Sequence, residues 1–421
     1  MEVIASAPGK TILFGEHSVV YSEPAIAAAV NKRATIRIET SKNNKTMLKS
    51  KDLGFEAELD TRNKKYSLKK GKPGIIRYIL EALYMAHDHS PINIDLSIDI
   101  PIGSGLGSSA AVTVATLAAL YRYHNIHFNK RTLAEKAHQV EYLVQGEASP
   151  LDTLVSTYGG LVYLNRKKQL QKIRTGFNSS FVIGVTSKYG STGKMVANVK
   201  KLKQKYPKIV NPIIKSMGEL TDEAKHAIEL GDVNKVGTLM NINHGLLDSI
   251  GVNTKELSRM VYIARSAGAI GSKITGAGGG GSIIALCPNN DNAVSKAIST
   301  YDSSFKLRFS RKGVSSKVIH GNSNHKHKKL NNNQRKNNRK NKNKYYNKKS
   351  NNKIKLSNNS KRNSSYNKKS ANNSKSKQKN KDKSQTSDGI KIEDNKVVFR
   401  KKAFKTINNK IDYSRWLCDN S

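Results

Sequence analysis

Cysteine is nearly absent. Cys287 and Cys418 are the only two in 421 residues, which excludes a disulfide framework and a cysteine-rich zinc site and makes a reducing, cytoplasmic compartment the default expectation. Long apolar runs are missing as well. The longest apolar-to-small stretch, Ala110 to Leu120, falls well short of the roughly 18–20 residues a membrane-spanning helix needs, so no membrane span is expected. The beginning, Met1-Glu2-Val3-Ile4-Ala5-Ser6-Ala7-Pro8, has neither a basic start nor a long apolar region, and no secretion signal is expected.

Acidic residues are the third scarcity, and it is local. The formal charge of +43 points at first to a nucleic-acid binder. Residues 1 to 310 hold 41 basic and 25 acidic side chains, a net +16, whereas 311 to 421 hold 33 and 6, a net +27. Most of the excess charge therefore belongs to the tail. From 321 to 380 there are 20 Lys/Arg, 19 Asn and no acid, with too few apolar side chains to offset the entropy of ordering a backbone, so 319–388 reads as a disordered, low-complexity segment. Residues 389–421 regain some apolar alternation, in Ile390-Lys391-Ile392 and Val397-Val398-Phe399, followed by Ile411, Tyr413, Trp416 and Leu417. His320, His325 and His327 at the tail junction have no carboxylate or cysteine nearby and read as solvated.

Upstream the patterns mix strand and helix, as in α+β or α/β domains. Residues 2–7, 11–15 and 34–40 look extended, and Ile92 to Ile100 alternates as a half-buried strand. Helices are predicted at 74–87, 108–123 and 130–145. A second group starts with the strand Phe181 to Thr186 and continues with helices at 211–230, 232–248 and 254–267. Asn253 and Glu256 resemble a capping box for the last of these, and Gly268 marks its end. Gly281 to Leu286 and Phe305 to Phe309 read as strands. The expected division is 1–170, 171–318, 319–388 and 389–421.

Three glycine-containing motifs carry the chemistry. The strongest is Pro101-Ile102-Gly103-Ser104-Gly105-Leu106-Gly107-Ser108-Ser109-Ala110-Ala111, which follows a strand and opens an alanine-rich helix. Alternate glycines let the backbone approach a ligand and aim several N–H groups at one place, and the helix start adds partial positive charge. Such a loop suits phosphate. Ser108 and Ser109 can cap backbone donors or meet the magnesium that accompanies a nucleotide. No Gly-x-x-x-x-Gly-Lys-Ser/Thr loop occurs, and although Gly276, Gly278 and Gly281 have dinucleotide-fingerprint spacing, Ser282 to Leu286 after them reads as a strand, not a helix. The run Lys273-Ile274-Thr275-Gly276-Ala277-Gly278-Gly279-Gly280-Gly281 indicates a mobile or close-packed backbone segment. An early motif, Pro8-Gly9-Lys10 with Gly15-Glu16-His17, places a lysine, a carboxylate and an imidazole beside the first strand.

In this order and at these separations, the three motifs resemble the GHMP kinase superfamily, and Gly-Glu-His-Ser-Val-Val-Tyr-Ser-Glu-Pro-Ala at 15–25 resembles its short, archaeal-type mevalonate kinases. The resemblance covers about 1–318. Ser18 and Ser22 depart from it, standing where alanine and glycine are usual. It implies an α+β, two-domain fold: an N-terminal ribosomal-protein-S5-like domain and a C-terminal ferredoxin-like domain, followed by the basic tail. It also implies ATP as co-substrate on Pro101, Gly103, Ser104, Gly105, Leu106, Gly107, Ser108, Ser109, Ala110 and Ala111, with Mg²⁺ held by Ser109 and Glu141. Asp152 would be the catalytic carboxylate facing the acceptor hydroxyl and Lys10 its partner, with Glu16, His17 and Thr275 on the acceptor side. The implied reaction is phosphorylation of the C5 hydroxyl of mevalonate in isoprenoid biosynthesis, with phosphomevalonate or a related acid as the alternative acceptor, by a homodimer. The tail, with Tyr345, Tyr346 and Tyr366 among its lysines, would add weak contacts to RNA or another polyanion.

Overall fold

The computed structural model describes residues 1–319 except 87–88, 147 and 188–189, together with the strands at 390–393 and 396–399. The first strand, β1 (Glu2–Phe14), runs straight through the Pro8-Gly9 pair where two strands were expected. It does so because its pairing with β2 (Ala25–Thr40) shifts register between Pro8 and Lys10 and again between Ile12 and Phe14. Irregularities of this kind re-aim side chains, and here the re-aimed residue is Lys10.

A 3-10 turn at Ser18–Tyr21 precedes β2. A meander of β3 (Thr46–Ser50), β4 (Phe55–Asp60) and β5 (Lys65–Lys70) follows, then α1 (Ile76–Met85), β6 (Ile92–Ile98), α2 (Ser108–Tyr123), α3 (Lys130–Gln145), α4 (Pro150–Tyr158), β7 (Leu161–Leu164) and β8 (Leu170–Ile173). The strands form one sheet in the order β13-β1-β2-β6-β3-β4-β5, where β13 is Ser315–Ile319 and β7 pairs with β2 and β8. Of these pairings the β3–β6 one is parallel. Between Ala110 and Tyr121 every residue of α2 is buried. A helix with no polar face has to lie inside a fold, and α2 packs against β1, β2, α1, α3 and α4. No described helix is long and apolar enough to cross a membrane.

The second half contains β9 (Phe181–Val185), α5 (Thr192–Lys205), α6 (Pro207–Leu230), α7 (Val233–Ser249), α8 (Lys255–Ser266), β10 (Gly271–Thr275), β11 (Ser282–Leu286), α9 (Asp291–Ser299) and β12 (Ser303–Leu307). Its antiparallel sheet has the order β10-β11-β9-β12. The chain then returns to the first sheet, where β13 pairs with β1 from Glu2–Ile319 to Ser6–Ser315. One apolar cluster joins side chains of both halves, from Val3 and Ile36 to Phe181, Ile284 and Leu307. Elements β1 to β13 accordingly fall in one compact unit.

Several boundaries differ from the sequence reading, each for a local reason. The helix expected from 211 begins at Pro207, a residue suited to the first helical position because its missing N–H is not needed there. The cap of α8 is Thr254, whose side chain accepts from the Leu257 amide at 3.3 Å, and not Asn253, whose amide group bonds Asp248 and Ser258 instead. Strand β12 ends at Leu307, and Phe309 makes an isolated bridge to Val30. The alternation at 390–399 forms an antiparallel hairpin of β14 (Ile390–Glu393) and β15 (Lys396–Phe399), which belongs to a separate unit. The Lys/Asn-rich segment, His320, His325, His327, the three tail tyrosines and the apolar residues from Ile411 to Leu417 lie outside the described residues.

Two glycines set how closely α7 approaches β10. A Cβ on Gly271 would strike the backbone of Gly237, and one on Gly237 would lie 2.9 Å from the Ile270 carbonyl oxygen. Neither obstacle is a flexible side-chain end. Gly271→Ala should therefore cost about 1–3 kcal/mol, read as a lower urea midpoint at unchanged m-value. A midpoint equal to that of the unmodified protein would contradict this packing.

Candidate active site

Lys10 and the glycine loop are built as one piece. The Lys10 amide donates to the Leu106 carbonyl at 2.9 Å. A Cβ on Gly9 would lie 2.7 Å from that same carbonyl oxygen, and one on Gly107, at φ +66°, would lie 2.9 Å from Lys10 Cγ. Strand and loop can touch only because both positions lack a side chain. Lys10, 6% exposed, then reaches Asp152, its Nζ 3.2 Å from Oδ1. Asp152 stands in the first turn of α4, behind Pro150, where the helix dipole favours a carboxylate. His138 of α3 fixes the approach to that turn, its Nε2 3.1 Å from the Ala148 carbonyl oxygen.

Within the loop the side chains alternate between pegs and gaps. Ser104 and Leu106 are each 1% exposed. The Ser104 hydroxyl donates to the Pro101 carbonyl, and the Ser104 carbonyl accepts from Ser282 Oγ, both at 2.7 Å. Gly103, Gly105 and Gly107 all have positive φ. Ser104 and Leu106 thus anchor the loop, and they and the fully buried Ala110 and Ala111 can offer a ligand only backbone groups. No side chain caps the start of α2, which leaves its first N–H groups directed at whatever lies beyond the loop. This differs from a serine-capped turn.

A second carboxylate, Glu141 on α3, is 2% exposed. It accepts from Gln145 Nε2 at 3.4 Å, and the Ser109 hydroxyl and Tyr78 of α1 stand beside it. Burial is the main reason its pKa rises to about 7. The Ser109 hydrogen bond opposes that rise, the Asp152 charge adds to it and Lys10 offsets it. A buried carboxylate short of positive charge, beside a hydroxyl and a second carboxylate, is a hard-oxygen donor set that fits Mg²⁺. Among the described residues no three His, Cys, Asp or Glu gather into a metal site of their own.

The residues expected on the acceptor side lie along and just beyond the C-terminal part of β1. Gly15, His17 and Ser22 have positive φ, so the turn is tight, and Ser22 adopts the left-handed conformation that glycine would take more readily. His17 Nε2 lies 2.8 Å from the Ala277 carbonyl oxygen, and burial lowers its pKa. Thr275 donates to the Ile12 carbonyl at 2.9 Å and lies 3.1 Å from the Thr11 hydroxyl. Glu16 turns inward. Its Oε1 accepts from Lys273 Nζ and its Oε2 from Asn243 Nδ2 at 3.3 Å, so both oxygens are held within the protein.

The glycine run after Thr275 is close-packed at Gly278 and Gly279, while Gly276 and Gly281 have open space around them. The Gly279 amide donates to Val252 O at 2.8 Å, and a Cβ on Gly278 would overlap that same carbonyl. Tyr78, Gln145, His138, Asn243 and Lys273 carried no assigned role in the sequence. Only Lys273 left a signal there, as the first residue of the third glycine motif.

The chain matches the GHMP kinases N terminal domain over residues 74–160 and the GHMP kinases C terminal domain over 224–303. It is 45% identical over 314 residues to the mevalonate kinase of Methanothermobacter thermautotrophicus, covering 75% of this chain and 100% of that protein. The Pyrococcus horikoshii mevalonate kinase is 42% identical over 309 residues, covering 70% and 92% respectively. Among solved structures, Methanococcus jannaschii mevalonate kinase aligns with a TM-score of 0.64 at 28% identity over 73% of this chain and 98% of that one. The L. major enzyme in complex with R-mevalonate aligns at 0.65 and 25%, over 73% and 96%.

Glu141 gives a pH prediction. Its folded pKa of about 7 lies above the ordinary 4.5, so the folded state holds the proton more tightly and this group's contribution to stability falls as pH rises from about 4.5 to about 7. Glu141→Gln removes that loss. In metal-free buffer, the unfolding free energy of the variant relative to the unmodified protein should rise across this window by on the order of 1–3 kcal/mol. A difference independent of pH would refute it.

Proposed function

The chain belongs to the mevalonate kinase family of the GHMP kinases, and on that premise we propose that it transfers the γ-phosphoryl group of ATP to the C5 hydroxyl of mevalonate, an early step toward isoprenoids. One observation carries the assignment of roles. The methylene stem of buried Lys10 lies against Gly107 of the phosphate-type loop while its Nζ lies 3.2 Å from Asp152. Cation, carboxylate and phosphate cradle therefore converge on one point.

Phosphoryl transfer passes through a loose transition state, so the protein contributes chiefly by positioning and by electrostatic stabilisation. Backbone N–H groups of Gly103 to Ser109 and the uncapped start of α2 hold the phosphates. Asp152 faces the acceptor hydroxyl and receives its proton as the oxygen attacks. Lys10 orients Asp152 and balances negative charge on the attacking oxygen and the transferred group. Ser109 and Glu141 would hold Mg²⁺, which neutralises charge on the phosphate oxygens when bound. Half-buried Tyr78 and exposed Gln145 border that hydroxyl and carboxylate, and Gln145 donates to Glu141. His17 and Thr275 line the acceptor side, and basic and imidazole groups suit a hydroxy acid.

Asp152→Asn and Lys10→Met should each lower kcat by about 10²–10⁴ while ATP binding, followed with a fluorescent analogue, stays near that of the unmodified enzyme. Near-normal turnover in either variant would overturn the roles. An ATP-consumption assay with mevalonate, phosphomevalonate, homoserine and galactose should show turnover with mevalonate, and preference for another acceptor would reassign the substrate.

A cytoplasmic homodimer with weak polyanion contacts through the tail completes the proposal, the contacts being motivated by the acid-free Lys/Asn run from 321 to 380. Sedimentation velocity with and without RNA, on the full chain and on a form ending at His320, tests the last two points together. Both forms should sediment as dimers, and RNA should shift only the full chain, losing its effect as salt rises. Equal shifts would remove the tail's role, and monomers would remove the dimer.

A further inference from the structure

Lys273 is a buried titratable group that the mechanism above leaves unused. It occupies the middle of β10, a strand in which every residue is buried, and its side chain has no exposure. Burial pulls its pKa down, and the neighbouring Glu16 carboxylate acts in the opposite direction. An apolar residue would fit such a position at lower desolvation cost. What an apolar residue would lack is direction. The Lys273 ammonium donates to Glu16 and to the Ile274 carbonyl, the latter at 2.6 Å, and Asn243 of α7 takes the other oxygen of Glu16. On either side of this pair, His17 meets the Ala277 carbonyl and Thr275 meets Ile12 and Thr11. The contacts of Lys273 with Glu16, of His17 with Ala277 and of Thr275 with Ile12 and Thr11 link the segment 11–17 to the segment 273–277.

We propose that Lys273 is a positioning residue: its buried pair with Glu16 locks the 15–17 turn to the glycine run 276–281 in one register and so sets where His17 stands beside the acceptor. The last part rests on the kinase reading; the lock itself does not. The pair is suited to this work because the two segments are irregular glycine-rich backbone with positive φ at Gly15, His17, Gly276 and Gly278 to Gly281, for which apolar packing alone specifies no register. Glu16 accordingly acts on the acceptor through the turn it anchors and not by contact.

Lys273→Met and the isosteric Glu16→Gln test this in the full-length enzyme, with hydrogen exchange as the first readout because it needs no substrate. Amides in 11–22 and 273–283 should exchange at least about tenfold faster in either variant, while those in 101–111 keep their rates, as expected for a local opening. The KM for mevalonate should rise by about tenfold or more with the KM for ATP changing less than about threefold, and Lys273→Arg should recover part of the loss. Unchanged exchange in both segments would overturn the proposal. So would a uniform rise across the chain with unaltered KM values, since that is the mark of a residue that only supports global stability. Should Lys273→Met fail to fold, Glu16→Gln carries the same comparison. Failure of the unmodified enzyme to phosphorylate mevalonate would sink the substrate assignment and leave the exchange result to decide the lock.

Discussion

The site depends on the backbone contact between β1 and the glycine loop, the hydrogen bond from the Lys10 amide to the Leu106 carbonyl. It exists only because Gly9 and Gly107 remove the side chains that would hold strand and loop apart. Everything else in the centre is referred to that contact. It puts the Lys10 side chain between the glycine loop and Asp152 of α4, and it buries Leu106. Phosphoryl transfer asks for fixed dipoles and charges more than for reactive groups. A loop pinned by its own buried pegs meets that demand.

Two kinds of buried charge serve the site differently. Glu141 is short of positive charge and its pKa rises toward neutrality, which suits the Mg²⁺-holding role proposed for it. Glu16 is fully committed, with one oxygen on Lys273 and the other on Asn243. Removing either member of such a buried pair strands the other without water, at a cost of about 3–5 kcal/mol. The contrast separates a carboxylate without a cationic partner of its own from one spent on holding the fold. Sequence position does not distinguish the two glutamates.

The helices around the centre were legible because their patterns are strong and local. α2 and α3 begin and end where the apolar spacing predicted. The pairing of β3 with β6, of β7 with β2 and the return of β13 to β1 were not, since each joins segments far apart in the chain. The cap of α8 moved by one residue because Asn253 found side-chain partners in Asp248 and Ser258, leaving Thr254 to accept the helix amide.

The sequence alone determined the division of charge between a moderately basic first 310 residues and a polycationic tail, the three glycine motifs and the residue types able to perform phosphoryl transfer. Composition and local spacing are enough for these. The tertiary structure decided which of those residues meet. It took Glu16 inward to Lys273, gathered Tyr78 and Gln145 around Glu141 and Ser109, and turned the side chains of Ser104, Leu106, Ala110 and Ala111 into the core. The reason is physical: the partner of Glu16 lies 257 residues away, and burial, which fixes both the pairing and the pKa of these groups, is a property of the assembled core that no local stretch of sequence contains.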